Sequence, residues 1–98
     1  MWEPHDSGKT IGQTGSEDGV IIADEEHSDG ARITLEVDGH FAPYSITCGI
    51  YGTMVHTAFA ADRTEATVMF DAMKAELERV LAGGIDWYVW VDQFVKQF

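Results

Sequence analysis

Three residues of this chain supply the types needed for nucleophilic catalysis: Cys48 as nucleophile, His56 as base and Asp62 as orienting group. Residue types alone do not make a catalytic triad, because the three groups must also meet in space. We expect Cys48 to point into the core and His56 to point away from it, on opposite faces of one sheet. A small buried cysteine usually serves packing, so we predict no catalytic residue here.

An acidic segment, residues 24–29, concentrates carboxylates and one imidazole near a turn. Oxygen and imidazole ligands suit a divalent cation, which makes Asp24, Glu26 and His27 candidate metal ligands. In an extended strand, however, Asp24 and Glu26 point one way and Glu25 the other, so only part of the cluster converges. The alternative is a solvated hairpin end, and we expect no cofactor.

Residues 7–10, Ser-Gly-Lys-Thr, resemble the end of a phosphate-binding P-loop. The glycine that this motif requires five positions before Gly8 is replaced by Glu3, and no strand precedes the segment. We therefore interpret it as an ordinary loop rather than a nucleotide site.

The charge balance restricts the partners of the protein. The 98 residues include 17 acidic and 6 basic side chains, with a formal net charge of −11. The basic residues are scattered, so we expect neither nucleic-acid binding nor attachment to an anionic membrane surface. A homodimer or another protein is the expected partner, and the charge alone also allows an acidic inhibitor of a basic protein.

Cysteine content and hydropathy indicate the compartment. Cys48 is the single cysteine and has no intramolecular disulfide partner. No apolar stretch approaches the roughly 20 residues that span a bilayer, and residues 1–6 lack the pattern of a signal peptide. We therefore expect a cytoplasmic, soluble protein.

The first part of the chain divides into an arm and two strands. Residues 1–19 are glycine-rich and predict a flexible arm, with an edge strand around residues 10–13, and residues 20–98 predict a single domain. Strands begin at Val20 and at Ala31; in the second strand, apolar residues alternate with polar ones. A three-residue loop, Ser28 to Gly30, places Ile21 and Ala23 inside and sets Glu26 opposite Arg32.

Residues 44–59 are too long for one ordinary strand and predict a hairpin. A type II′ turn at Gly52-Thr53 keeps the core face apolar. The paired residues are then Ile50 with Val55, Cys48 with Thr57, and Ile46 with Phe59. The alternative is one long strand bent by a bulge at Gly49 or Gly52.

Two helices follow. Asp62 and Glu65 resemble a capping box, and the apolar stripe that follows contains Ala66, Phe70, Met73, Leu77 and Val80. Asp86 caps a second amphipathic segment, residues 87–98, whose apolar face contains Trp87, Val91, Phe94 and Phe98. The run from Trp87 to Val91 also has strand propensity, so a final strand remains the alternative.

The outer sheet face, turned away from the first helix, is predicted to carry a mixture of aromatic, hydroxyl and small residues: Ile22, Thr34, Ser45, Thr47, Gly49, Tyr51, Met54 and His56. Such a mixture suits a ligand site or a partner surface. The alternative is that the C-terminal helix or the N-terminal arm covers this face within one chain. The candidate ligand or interface residues are Thr47, Tyr51, Met54, His56, Trp87 and Trp90.

The sequence thus predicts an α+β fold, a four-stranded antiparallel meander followed by two C-terminal helices, the first of them on the inner sheet face. No motif identifies a family. The functional hypothesis is a non-enzymatic interaction module that self-associates, because the aromatic C-terminus and the mixed outer face exceed what a small monomer needs. The alternative is a small-molecule or metal-binding domain that uses the outer face and the acidic hairpin end.

Overall fold

The computed structural model describes all of residues 1–98 and has the predicted α+β architecture, an antiparallel sheet followed by two C-terminal helices. The sheet contains five strands in the order of the chain: β1 (Trp2–Pro4), β2 (Val20–His27), β3 (Ala31–Val37), β4 (Tyr44–Ile50) and β5 (Met54–Ala60). The helices are α1 (Arg63–Leu81) and α2 (Trp87–Gln97). Both helices pack on the inner face, where one apolar core joins them to the sheet.

The short strand β1 lies in the segment predicted as an arm and pairs with the end of β2, with Trp2 opposite His27. The edge strand expected around residues 10–13 is not formed as such. Instead, the N–H of Gly12 donates to the carbonyl of Ile21 and the N–H of Ile21 donates to the carbonyl of Gln13. The arm is therefore hydrogen-bonded to the sheet at two places, before and after a turn-rich stretch.

The hairpin between β2 and β3 has the predicted register, with Glu26 opposite Arg32 and Gly30 at a φ of 103° in the three-residue loop. The prediction that Ile21 points inward is wrong, because a bulge at Ile22 separates the pairs Ile21–Glu36 and Ala23–Leu35. A bulge adds one residue to a strand and exchanges the faces of the residues before it. Ile22 accordingly packs against the core, while Ile21 faces outward.

Residues 44–60 form the predicted hairpin, but its register is shifted by one residue. The loop has three residues, Tyr51 to Thr53, so that Cys48 lies opposite His56 and Ile46 lies opposite Ala58. The predicted pairing of Ile46 with Phe59 is therefore wrong, and every side chain of β5 takes the other face. Core packing explains this register. Trp90 and Phe94 of α2 lie in the core beside Ala58 and leave space there only for small side chains.

The two helices start where the sequence predicts. The N–H of Glu65 donates to the Asp62 carboxylate at 2.8 Å, and the N–H of Val89 donates to the Asp86 carboxylate at 3.1 Å. In α1 the buried residues are those of the predicted stripe. The predicted second helix is formed rather than the alternative strand, and its two fully buried residues are Trp90 and Phe94, whose rings stack at 4.8 Å between centroids.

Candidate functional site

A groove of about 760 Å³ lies on the outer face, opposite the helices. Its floor is formed by β3 and β4, one wall by the arm and the other by the β4–β5 turn. This volume lies within the usual range for small-molecule sites. Most of its polar lining consists of hydroxyl and amide side chains: Thr10, Gln13, Thr14, Ser16, Thr34, Thr47, Tyr51 and Thr53.

An ion pair forms one side of the floor. The Arg32 guanidinium donates through Nε and Nη2 to the two carboxylate oxygens of Asp24, at 2.9 and 2.7 Å. The Asp24 side chain is buried, and the hydroxyls of Thr10 and Thr34 also donate to it, at 2.7 and 3.2 Å. Burial alone would raise the pKa of Asp24, but these hydrogen bonds and the Arg32 charge outweigh it and lower the pKa. The carboxylate therefore stays ionised at neutral pH.

The Arg32 guanidinium is only partly used by this pair. Its side chain is about one-third exposed (37%) and lines the groove, and its Nη1 makes no hydrogen bond within the chain. The hydrogen bond to Asp24 also raises the pKa of Arg32, so the group remains a cation. Arg32 thus offers unused N–H donors whose charge is largely balanced by Asp24.

A second carboxylate holds the arm against the sheet. Glu36 is 0% exposed, and its Oε1 accepts hydrogen bonds from the N–H groups of Glu17 and Gly19 at 3.2 and 3.1 Å. Gly15 lies directly over this carboxyl group, since a Cβ on Gly15 would approach the Glu36 carboxyl carbon to 2.3 Å. Close approach of the loop backbone to Glu36 therefore requires glycine at position 15 and forms the arm side of the groove.

The turn at the other side of the groove is also fixed. The N–H of Tyr51 donates to the carbonyl of Gly30 at 2.9 Å, while the Tyr51 side chain is 58% exposed at the groove. On the floor, Thr47 shares a hydrogen bond of 3.1 Å with Thr57, and Gly49 has no side chain above the sheet. The floor is therefore flat and hydroxyl-bearing, with one aromatic ring at its margin.

The structure brings two of the six predicted ligand or interface residues to the outer face of this groove, Thr47 and Tyr51. Met54 borders the groove, but its side chain shares the inner face with Ile50 and packs against the core, contrary to the prediction. The remaining three, His56, Trp87 and Trp90, also belong to the core side. His56 points inward and meets the ring of Phe94 edge-on at 5.8 Å, because the hairpin register differs from the predicted one. Trp90 is 1% exposed, and Trp87 is half-buried beside it, so the C-terminal aromatic residues cover their own sheet.

The three residues whose side chains suit nucleophilic catalysis, Cys48, His56 and Asp62, do not form an accessible site. The true register puts Cys48 and His56 side by side on the inner face, contrary to the expectation of opposite faces. Cys48 is nevertheless buried, and burial raises the pKa of its thiol to about 12. Asp62 caps α1 instead of orienting the imidazole. A thiol with this pKa is not a nucleophile at neutral pH.

The candidate metal ligands are likewise separated. Asp24 lies on the outer face opposite Thr34, whereas His27 is buried on the inner face against Trp2, at 5.2 Å between ring centroids. Glu26 is 3.5 Å from His5. No group of three or more His, Cys, Asp or Glu side chains in the chain is arranged to hold a metal ion.

Sequence reasoning missed Arg32 and Glu36 and the wall formed by residues 10–16. The alternating pattern of β3 indicates Arg32 and Glu36, because residues that alternate with Ile33 and Leu35 along the strand must point to the outer face. No comparable signal exists for the arm, whose position depends on the contact between Gly15 and Glu36.

Comparison with known proteins does not assign this site. No family model, curated protein or solved structure matches the chain. Neither helix has the combination of length and apolar character needed to cross a membrane.

Proposed function

We propose that this protein is a non-catalytic binding module whose outer-face groove binds a small, neutral, hydroxyl-rich molecule, such as a mono- or disaccharide. The observation that carries this proposal is the contrast between the groove and the rest of the chain. The net charge is −11, yet the only charged residues that line the groove are Arg32 and Glu36. Arg32 is paired with Asp24, and Glu36 is buried beneath the arm.

The chemistry of the lining favours this class of ligand. Threonine hydroxyls and the free Arg32 Nη1 provide donors and acceptors for hydroxyl groups. The exposed ring of Tyr51 and the side chain of Val55 provide apolar surface for the C–H faces of a sugar ring. A ligand with a full charge would meet no unpaired counter-charge, because Asp24 already balances Arg32, and it would lose solvation.

The location and wider partners belong to the same proposal. The single free cysteine supports a cytoplasmic protein. The acidic surface, with its scattered basic residues, supports a protein or small-molecule partner over a nucleic acid.

The test is a titration of the 15N-labelled protein with glucose, maltose and myo-inositol, with glucosamine and glucuronic acid as charged counterparts. We expect saturable amide shifts at Thr47, Gly49, Tyr51 and residues 13–16 with a neutral probe, and weaker shifts with the charged ones. Tyr51→Ala and Thr47→Val should each weaken binding by about tenfold, which corresponds to one lost contact of about 1.4 kcal/mol.

Tyr88→Ala is the matched control, because Tyr88 is an exposed tyrosine on α2, outside the groove lining. Its affinity should equal that of the wild type. Absence of saturable shifts with every neutral probe, or an equal loss of affinity in Tyr88→Ala, would contradict the proposal.

A further inference from the structure

The two edges of the sheet differ in their protection. At one edge, β1 has three residues and contains Glu3 and Pro4, and short strands, charges and proline all hinder pairing with another chain. At the other edge, β5 has seven residues, Met-Val-His-Thr-Ala-Phe-Ala, and pairs only with β4. It contains no proline, no Lys, Arg, Asp or Glu, and no bulge. A strand edge of this kind is open to a further strand.

The outer face of β5 presents apolar side chains to solvent. Val55 is 79% exposed and Phe59 is 45% exposed, with Thr57 midway between them on the same face. Both apolar residues are β-branched or aromatic, the types that form favourable cross-strand pairs. Neither is covered by the helices, which pack on the inner face.

The sequence of β5 is complementary to itself in the antiparallel direction. Centring two copies on Thr57 places Val55 opposite Phe59 on the outer face, twice by symmetry. On the inner face, Met54 then lies opposite Ala60 and His56 opposite Ala58. No pair contains Lys, Arg, Asp or Glu, and His56 faces Ala58, so no like charges are brought together.

We propose that β5 pairs with β5 of a second copy of this chain about a twofold axis at Thr57, joining two five-stranded sheets into one of ten strands. The pairing does not depend on which ligand the groove binds, although Val55 belongs to both surfaces. A second copy is favoured over another partner because the pairing covers both exposed apolar residues with their own counterparts.

Salt dependence follows from the charge of the chain. Two copies of net charge −11 repel each other at a distance, and salt screens that repulsion. Dimerisation should therefore strengthen as ionic strength rises from about 20 mM to about 500 mM. A basic protein partner would show the opposite dependence.

The decisive experiment measures solution mass by light scattering over about a hundredfold range of concentration, for the wild type and for Thr57→Lys and Thr57→Glu. The wild type should form a dimer of the 10.8 kDa chain. Each variant alone should be monomeric, because it places like charges opposite each other at the axis. An equimolar mixture of the two variants should regain the dimer mass, since Lys then faces Glu.

Val68→Lys and Val68→Glu are matched controls, because Val68 is an exposed residue of α1 and not of β5. They should dimerise like the wild type, and circular dichroism should give the same fold for all variants. A wild-type mass that stays at that of one chain overturns the proposal. Dimers in either Thr57 variant alone, or a mixture that stays monomeric, overturn pairing centred on Thr57.

Discussion

The two faces of this sheet are stabilised by different interactions. On the inner face, Ile33, Ile46 and the α1 stripe form a continuous apolar core whose members are interchangeable in chemistry and constrained by volume. On the outer face, the fully buried carboxylates of Asp24 and Glu36 each need specific partners, from Arg32 and from the arm. The inner face thus derives its stability from the burial of apolar area, and the outer face from specific hydrogen bonds to buried carboxylates, although Glu36 Oε2 has no hydrogen-bond partner.

This difference implies different responses to mutation. A substitution on the inner face should lower the stability of the whole domain in proportion to the volume removed. A substitution on the outer face should act through one hydrogen-bonded group and its immediate neighbours. Four predictions test this comparison, in order of decreasing effect.

The largest effect is expected on the inner face. Trp90→Ala removes a 1% exposed ring that stacks on Phe94 and should lower the free energy of unfolding by about 3 to 5 kcal/mol. Chemical denaturation followed by circular dichroism measures this loss. Tyr88→Ala, an exposed position two residues earlier, should change stability by no more than about 0.5 kcal/mol. Equal losses in the two variants would mean that α2 does not pack as described.

The next effect concerns the floor of the groove. Asp24→Asn leaves Arg32 without its counter-charge and should cost about 2 to 3 kcal/mol, less than a fully buried pair because Arg32 is partly exposed. Asp71→Asn, at an exposed position on α1, is the control and should be nearly neutral.

The same pair predicts a pH dependence. The folded pKa of Asp24 lies below its ordinary value of 3.8, so the ionised form favours the folded state. This stabilisation is complete above the unfolded pKa and is lost as pH falls through the folded pKa. The stability difference between wild type and Asp24→Asn should therefore be constant near neutral pH and shrink below about pH 4. A difference that grows on acidification would contradict the ion pair.

The smallest effect should be confined to the arm. Gly15→Ala places a methyl group against the Glu36 carboxyl and should cost about 1 to 2 kcal/mol, because Glu36 or the loop must shift. Hydrogen exchange should increase at the amides of Glu17 and Gly19, which donate to Glu36, while α1 stays protected. Ser16→Ala is the neighbouring control. Unchanged exchange in Gly15→Ala would mean that the loop does not rest on Glu36.

Local pattern was sufficient for the elements themselves. The stripe from Ala66 to Val80 predicts α1, and the alternation of Ile33 and Leu35 predicts the core face of β3, because each depends only on the period of its own element. The caps at Asp62 and Asp86 are equally local, since each bonds an amide three residues later.

Local patterns predicted only some of the residues that line the groove. Thr47 and Tyr51 were predicted from their places on the outer sheet face, whereas the outward orientation of Ile21 depends on the bulge at Ile22. The inward turn of His56 depends on which side chains fit beside Phe94. Strand register is set by such distant contacts, and a shift of one residue exchanges the two faces.

The sequence by itself determined the α+β order of elements, the helix boundaries, the β2–β3 loop and the excess of negative charge. Tertiary structure alone decided the register of β5, the bulge in β2 and the position of the arm over Glu36. The physical reason is the separation along the chain over which each interaction acts. Periodicity and capping act within about four residues, whereas the volume available beside α2 and the partners of a buried carboxylate come from residues far apart in the chain.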